Sequence, residues 1–101
     1  RAGGWTKYLQ MNLNGQLASK YLRIPKGEQS VSQQVMVKFL INEYGKVSNV
    51  EVLNKKEVHP KLAEEAVRVL NESPPWKPAT FLGERTIFWL QMPITFEVDK
   101  Q

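Results

Sequence analysis

"TIFWLQMPITFEV", residues 86–98, decides how the rest of this chain is read. Phe88, Leu90, Met92, Ile94, Phe96 and Val98 fall on one face and Ile87, Trp89, Gln91, Pro93, Thr95 and Glu97 on the other. This is the period-two alternation of a half-buried strand. Pro93 sits inside it, and a proline has no N–H to give to a ladder. Successive residues of an antiparallel strand aim their backbone groups alternately to its two sides, so an outermost strand tolerates proline in its outward-facing set. The stretch is therefore expected to be a sheet edge, blunted at Pro93 and open before it, where Ile87, Trp89 and Gln91 present free backbone groups.

Working back along the chain, "WKPATFLGER" reads as a turn-bearing connection with Gly83 as its flexible residue. Before it, "HPKLAEEAVRVLNESPP" carries the strongest helical pattern: Pro60 at the first position, and Leu62, Ala63, Ala66, Val67, Val69 and Leu70 as an apolar stripe. Pro74 and Pro75 stop it. In "VMVKFLINEYGKVSNVEVL", Val35, Val37, Phe39 and Ile41 alternate as a strand, and "NEYGK" supplies a hairpin loop with Gly45 at positive φ. Val50 and Val52 of the return strand are in phase and Val47 is out of phase, which predicts a bulge near Ser48 and Asn49. Further upstream, Trp5, Tyr8, Leu9 and Leu13 have helical spacing that ends near Gly15. "QLASKYLRIP" is able to continue that helix, and Pro25 with "KGEQSVSQQ" reads as a loop.

The element order is thus helix, strand, strand, helix, strand. A right-handed crossover through the second helix carries the last strand over one neighbour, which gives an α+β fold. Two helices pack on one face of a three-stranded antiparallel sheet of order 2-1-3, with the last strand at an edge. Residues 1–101 are read as a single domain with its core in 35–98, preceded by an N-terminal helix and loop in 1–34.

Composition narrows the function. Hydrophobic content of 42% with 24% charged residues is that of a globular chain with a real core. No apolar run approaches the roughly 20 residues that span a bilayer, and "RAGGWTKYLQ" lacks signal-peptide character. With 0 Cys there is no disulfide framework, no thiol chemistry and no Cys-built zinc site. The net charge of +4 comes from Lys and Arg scattered among acidic residues, a solvated surface rather than a nucleic-acid stripe. His59, the single histidine, precedes a helix without a cluster of ligands and reads as a turn or cap residue. Glu64 and Glu65 are adjacent and diverge on a helix, and no phosphate-cradling glycine run is present. No catalysis, metal or cofactor is expected.

The candidate site is the open edge: Arg85, Thr86, Ile87, Phe88, Trp89, Leu90 and Gln91, to which a partner strand would add. Trp89 is placed on the face opposite the helices, either as a partner anchor or as a residue covered by neighbours. Trp76, set between Pro75 and Pro78, reads as a plug at the end of the core.

"VMVKFLINEYGKVSNVEVL", "LAEEAVRVLNESPPWKPATFLGER" and "MPITFEV" resemble, in order and spacing, the C-terminal domain of TonB, the energy transducer of the Gram-negative envelope. The likeness covers residues 35–98. It rests on Gly45-Lys46-Val47 followed by Asn49-Val50, the Ala66 helix, Trp76-Lys77-Pro78 with Gly83, and Pro93-Ile94-Thr95-Phe96. The resemblance implies a periplasmic domain, tethered to the inner membrane and driven by an ExbB/ExbD-type motor through a region N-terminal to this chain. It also implies that the last strand grips the TonB box peptide of a TonB-dependent outer-membrane receptor. "NGQLASKYLRIPKGEQSVSQQ" lacks the aromatic–proline pair usual before the first strand, so the TonB-like tail of a membrane sensor or peptidase is an alternative parent. A self-associating domain, a homodimer paired or swapped through the same edge, is the other reading.

Overall fold

A computed structural model of the chain describes residues 2–100. Helix α1 runs Ala2–Asn12, α2 Gln16–Tyr21, strand β1 Ser30–Ile41 and β2 Val47–Val52. After a 3-10 turn at Lys55–Glu57 come α3, Pro60–Asn71, then β3, Ala79–Phe81, β4, Glu84–Thr86, and β5, Phe88–Asp99. The main sheet is antiparallel in the order β2-β1-β5, as expected, and β3 pairs with β4 in a separate two-stranded sheet.

The structure extends the sequence reading in three places. The N-terminal pattern is two helices rather than one continued, so three helices cover the sheet; α2 contributes Ala18 to the core. β1 begins at Ser30, inside the stretch read as loop, because Ser30–Gln34 pair with Thr95–Asp99 across the long partner strand. Pairing there outweighs the polar side chains. The connection at residues 76–85 folds into a hairpin whose two-residue loop, Leu82-Gly83, has φ of 53° and 83°. Two consecutive positive values are those of a type I′ turn, whose twist matches that of its strands.

The core lies between the sheet and α3. Val35, Val37, Phe39 and Ile41 from β1, Ile94 and Phe96 from β5, and Leu62, Ala66, Val69 and Leu70 from α3 are all buried. Trp5, Tyr8 and Leu9 of α1 pack on this cluster from one end, and the Tyr8 hydroxyl donates to the Val69 carbonyl at 2.8 Å. The bulge expected in β2 is present: Lys38 pairs with Glu51 and Leu40 with Ser48, so Phe39 alone faces both Asn49 and Val50. Asn49 takes φ 54°, which asparagine tolerates better than most residues. The extra residue resets the phase, so Val47 joins Val50 and Val52 in packing against the core.

Several polar side chains fix the ends of helices and strands. His59 caps α3, its Nδ1 accepting from the Lys61 N–H at 3.1 Å, and its ring packs on Tyr21 with centroids 4.4 Å apart. At the end of β2, Asn54 Oδ1 accepts from Met36 N–H at 2.9 Å and its Nδ2 donates to the Gln34 carbonyl at 2.8 Å. One side-chain amide thus stands in for a missing strand residue. Glu65, only 7% exposed, accepts from Asn14 N–H at 2.8 Å and from Arg68 Nε and Nη2 at 2.8 and 2.7 Å. Arg68 Nη2 also donates to the Asn12 carbonyl, so this pair ties the α1–α2 junction to α3. The bidentate Arg68 contact holds the Glu65 carboxyl below its ordinary range despite burial, and Glu65 in turn raises Arg68.

Candidate functional site: the outer edge of strand β5

The direction of each backbone group in β5 follows from the pairing of Met36. Met36 accepts from Leu53 N–H at 2.8 Å and gives its own N–H to Asn54, so both of its backbone groups face β2. Its partner across the sheet is Pro93, which therefore turns its backbone away from β1. The register between β1 and β5 is uninterrupted, so Trp89, Gln91, Thr95 and Glu97 share that outward direction. No main-sheet strand lies beyond β5 among the described residues. Pro93 thus sits where it costs no ladder bond, as its place in the sequence implies.

The seven residues singled out by sequence separate into three groups. Trp89 and Gln91 belong to the free edge. Phe88 and Leu90 pair with Ile41 and Phe39, turn their backbone inward and lay their side chains, half-buried, on the core side. Arg85 and Thr86 belong to β4, opposite Thr80 and Ala79, and Ile87 is the exposed link between the two strands. In a two-residue hairpin the pair flanking the loop exchanges both bonds, so Arg85 turns its backbone away from β3.

The structure adds Thr95 and Glu97, edge residues beyond Pro93. The same alternation that located Trp89 and Gln91 marks them, and the proline hid them by suggesting that the open edge ends there. The outward N–H donors are those of Trp89, Gln91, Thr95 and Glu97, with Pro93 offering a carbonyl alone.

Side chains on the face away from the helices give this edge its chemical character. Trp89 is 51% exposed, and Lys38 Nζ lies 4.8 Å from its ring centroid. An ammonium over an indole face orients the ring without covering it. Thr95 accepts a long hydrogen bond from Gln34 Nε2 at 3.4 Å, and Gln91 and Glu97 are exposed. Ahead of the strand, the β3–β4 tip carries Phe81 and Leu82 at 68% and 88% exposure. Trp76 packs on the core beside the β1–β2 hairpin: its ring lies 5.5 Å from Phe39 and 5.0 Å from Trp5, and its Nε1 donates to Ser73 Oγ at 3.1 Å. Among the described residues no group of three or more metal-ligating side chains is present, and no helix is long and apolar enough to cross a membrane.

A free, register-fixed strand edge on an α+β layer is the geometry that strand addition requires. The profile of the Gram-negative bacterial TonB protein C-terminal family matches residues 28–98, and the chain belongs to that family. Comparison with curated proteins and with solved structures gives no significant match.

Proposed function

We propose that this domain binds the TonB box of a TonB-dependent outer-membrane receptor by adding the receptor segment as a fourth strand along β5. In this reading the domain works in the periplasm and passes inner-membrane proton-motive energy, delivered by an ExbB/ExbD-type motor through chain N-terminal to this domain, to the receptor. The observation that carries the proposal is the outward set Trp89, Gln91, Thr95 and Glu97, whose backbone groups have no partner strand among the described residues. Family membership supports the class of partner.

Main-chain bonds supply most of the attraction. Each contributes about 0.5 to 1.5 kcal/mol net against an association cost of several kcal/mol, so binding is reversible and on the order of micromolar. Pro93 removes one donor from the row, which separates the edge into a Trp89–Gln91 half and a Thr95–Glu97 half. Trp89 supplies apolar contact beside the guest strand.

Titrating a synthetic receptor TonB-box peptide into labelled protein tests the proposal. The amide signals of Trp89, Gln91, Thr95 and Glu97 are expected to shift together. Unmoved signals along β5, or a dimer by light scattering that occupies this edge and blocks the peptide, would overturn it.

A further inference from the structure

The sheet has a second edge, and it borders a groove. Among the described residues strand β2 pairs with β1 alone, and Leu53 faces Met36, so Val52 turns its backbone away from β1. Across the bulge Asn49 and Val50 oppose the single residue Phe39, whose backbone serves β5, and this leaves Val50 without a ladder partner. Among the described residues no side chain hydrogen-bonds to Val50 or Val52.

Beneath that edge, where α3 packs on β2, an open groove of about 430 Å³ is lined by Val50, Val52, Pro60, Ala63 and Val67, with Val52 and Ala63 at its buried base. Lys55 and Glu64 lie on its rim. Glu64 is engaged by Lys61 at 3.8 Å, whereas Lys55 has no acidic partner among the described residues, and Lys56 follows it in the exposed 3-10 turn. The groove is therefore apolar along its base, with the unpaired Lys55 on its lining where β2 finishes, while Glu57, in the same turn, is not among its lining residues.

We propose that this groove is a second strand-addition site, distinct from the β5 edge, for an extended peptide segment with alternating small apolar side chains and an acidic residue at its N-terminal end. Directional backbone groups at Val50 and Val52 call for an extended guest rather than a helix. The valine and alanine floor accepts every second side chain. Antiparallel addition, the arrangement of every other pair in the sheet, brings the guest's N-terminal end to Lys55. The bulge at Asn49 twists the edge beyond Val50 and limits the paired segment to a few residues.

The test uses the peptide acetyl-Asp-Val-Thr-Val-Thr-Val-amide titrated into isotopically labelled protein. Shifts at the amides of Val50, Val52 and Lys55, with those of Trp89, Gln91, Thr95 and Glu97 unmoved, are the expected result, and they separate this site from the β5 edge whether or not the latter binds a receptor segment. The variant Lys55→Glu changes an exposed position and leaves the core intact. It is expected to weaken binding roughly two- to five-fold, and a peptide with lysine in place of the aspartate is expected to bind the variant better than the wild-type chain. No shift at Val50 and Val52 at millimolar peptide, shifts confined to β5, equal binding by the Lys55→Glu variant, or occupation of the groove by a second copy at the concentrations used would each overturn the proposal.

Discussion

Two tight turns in this molecule look alike locally and are held in different ways. Gly45, in the β1–β2 hairpin, has φ 84°, and Gly83, in the β3–β4 hairpin, has φ 83°. Around Gly83 a Cβ would meet nothing within 4 Å, whereas at Gly45 it would come within 2.0 Å of the Trp76 carbonyl oxygen. The reason is a crossing of backbones: Trp76 N–H donates to the Gly45 carbonyl at 2.7 Å, so the chain leaving α3 is laid directly across the first hairpin. Asn42 braces the same turn, its Oδ1 accepting from Tyr44 and Lys46 N–H groups at 2.8 and 2.9 Å. The first turn is locked by tertiary contacts and the second is set by local backbone preference, although both use a glycine in the left-handed region.

That contrast is breakable by substitution. Gly45→Ala is expected to have the largest effect, more than about 3 kcal/mol, because it adds left-handed strain to an overlap with backbone that has no room to retreat. Thermal unfolding of the variant checks this, and a Tm within a few degrees of wild type would mean that the crossing is not rigid. Trp76→Ala removes the half-buried ring while leaving the backbone bond. It is expected to cost about 2 to 4 kcal/mol, less than a fully buried aromatic, as read by denaturant titration.

A second tertiary lock, the Glu65–Arg68 pair, sharpens the comparison because it depends on pH. Glu65→Gln is expected to cost about 1 to 3 kcal/mol at neutral pH, discounted from a fully buried pair because Arg68 is 41% exposed. Since folding lowers the Glu65 pKa below its ordinary 4.5, its stabilisation is fully present above that pH and is lost as pH falls through the folded value. Urea titrations below about pH 4.5 should therefore converge for the variant and the wild type; parallel curves down to acid pH would remove Glu65 as the cause.

The smallest effect belongs to the free turn. Leu82 holds φ 53° at 88% exposure, a conformation that costs a branched residue about 1 kcal/mol. Leu82→Asn is expected to raise stability by up to about 1 kcal/mol, measured as an upward shift in the denaturation midpoint. Loss of stability would show that the leucine packs against something in solution.

Much of this architecture is legible in the sequence alone. Alternation in residues 35–41 and 88–98, the phase slip at Val47, the proline-bounded α3 and the outward placement of Pro93 are all consequences of nearest-neighbour geometry. The errors share a cause. Ser30–Gln34 look like loop because their strand character comes from Thr95–Asp99, more than 60 residues away in the chain, and "ATFLGERT" looks like a turn because its three-residue strands are too short to show a period. Of the candidate edge, Trp89 and Gln91 follow from alternation alone, whereas the place of Arg85 and Thr86 in β4 and the outward direction of Thr95 and Glu97 depend on strand pairing.

The sequence by itself determined which side of each strand is apolar and that a proline-bearing strand must lie outermost, because side-chain alternation and the missing proline N–H are properties of the residue and its immediate neighbours. Only the tertiary structure decided the register between β1 and β5, the crossing of Trp76 over Gly45 and the groove between β2 and α3. Each of these is a meeting of segments far apart in the chain, fixed by packing and by hydrogen bonds that no local pattern encodes.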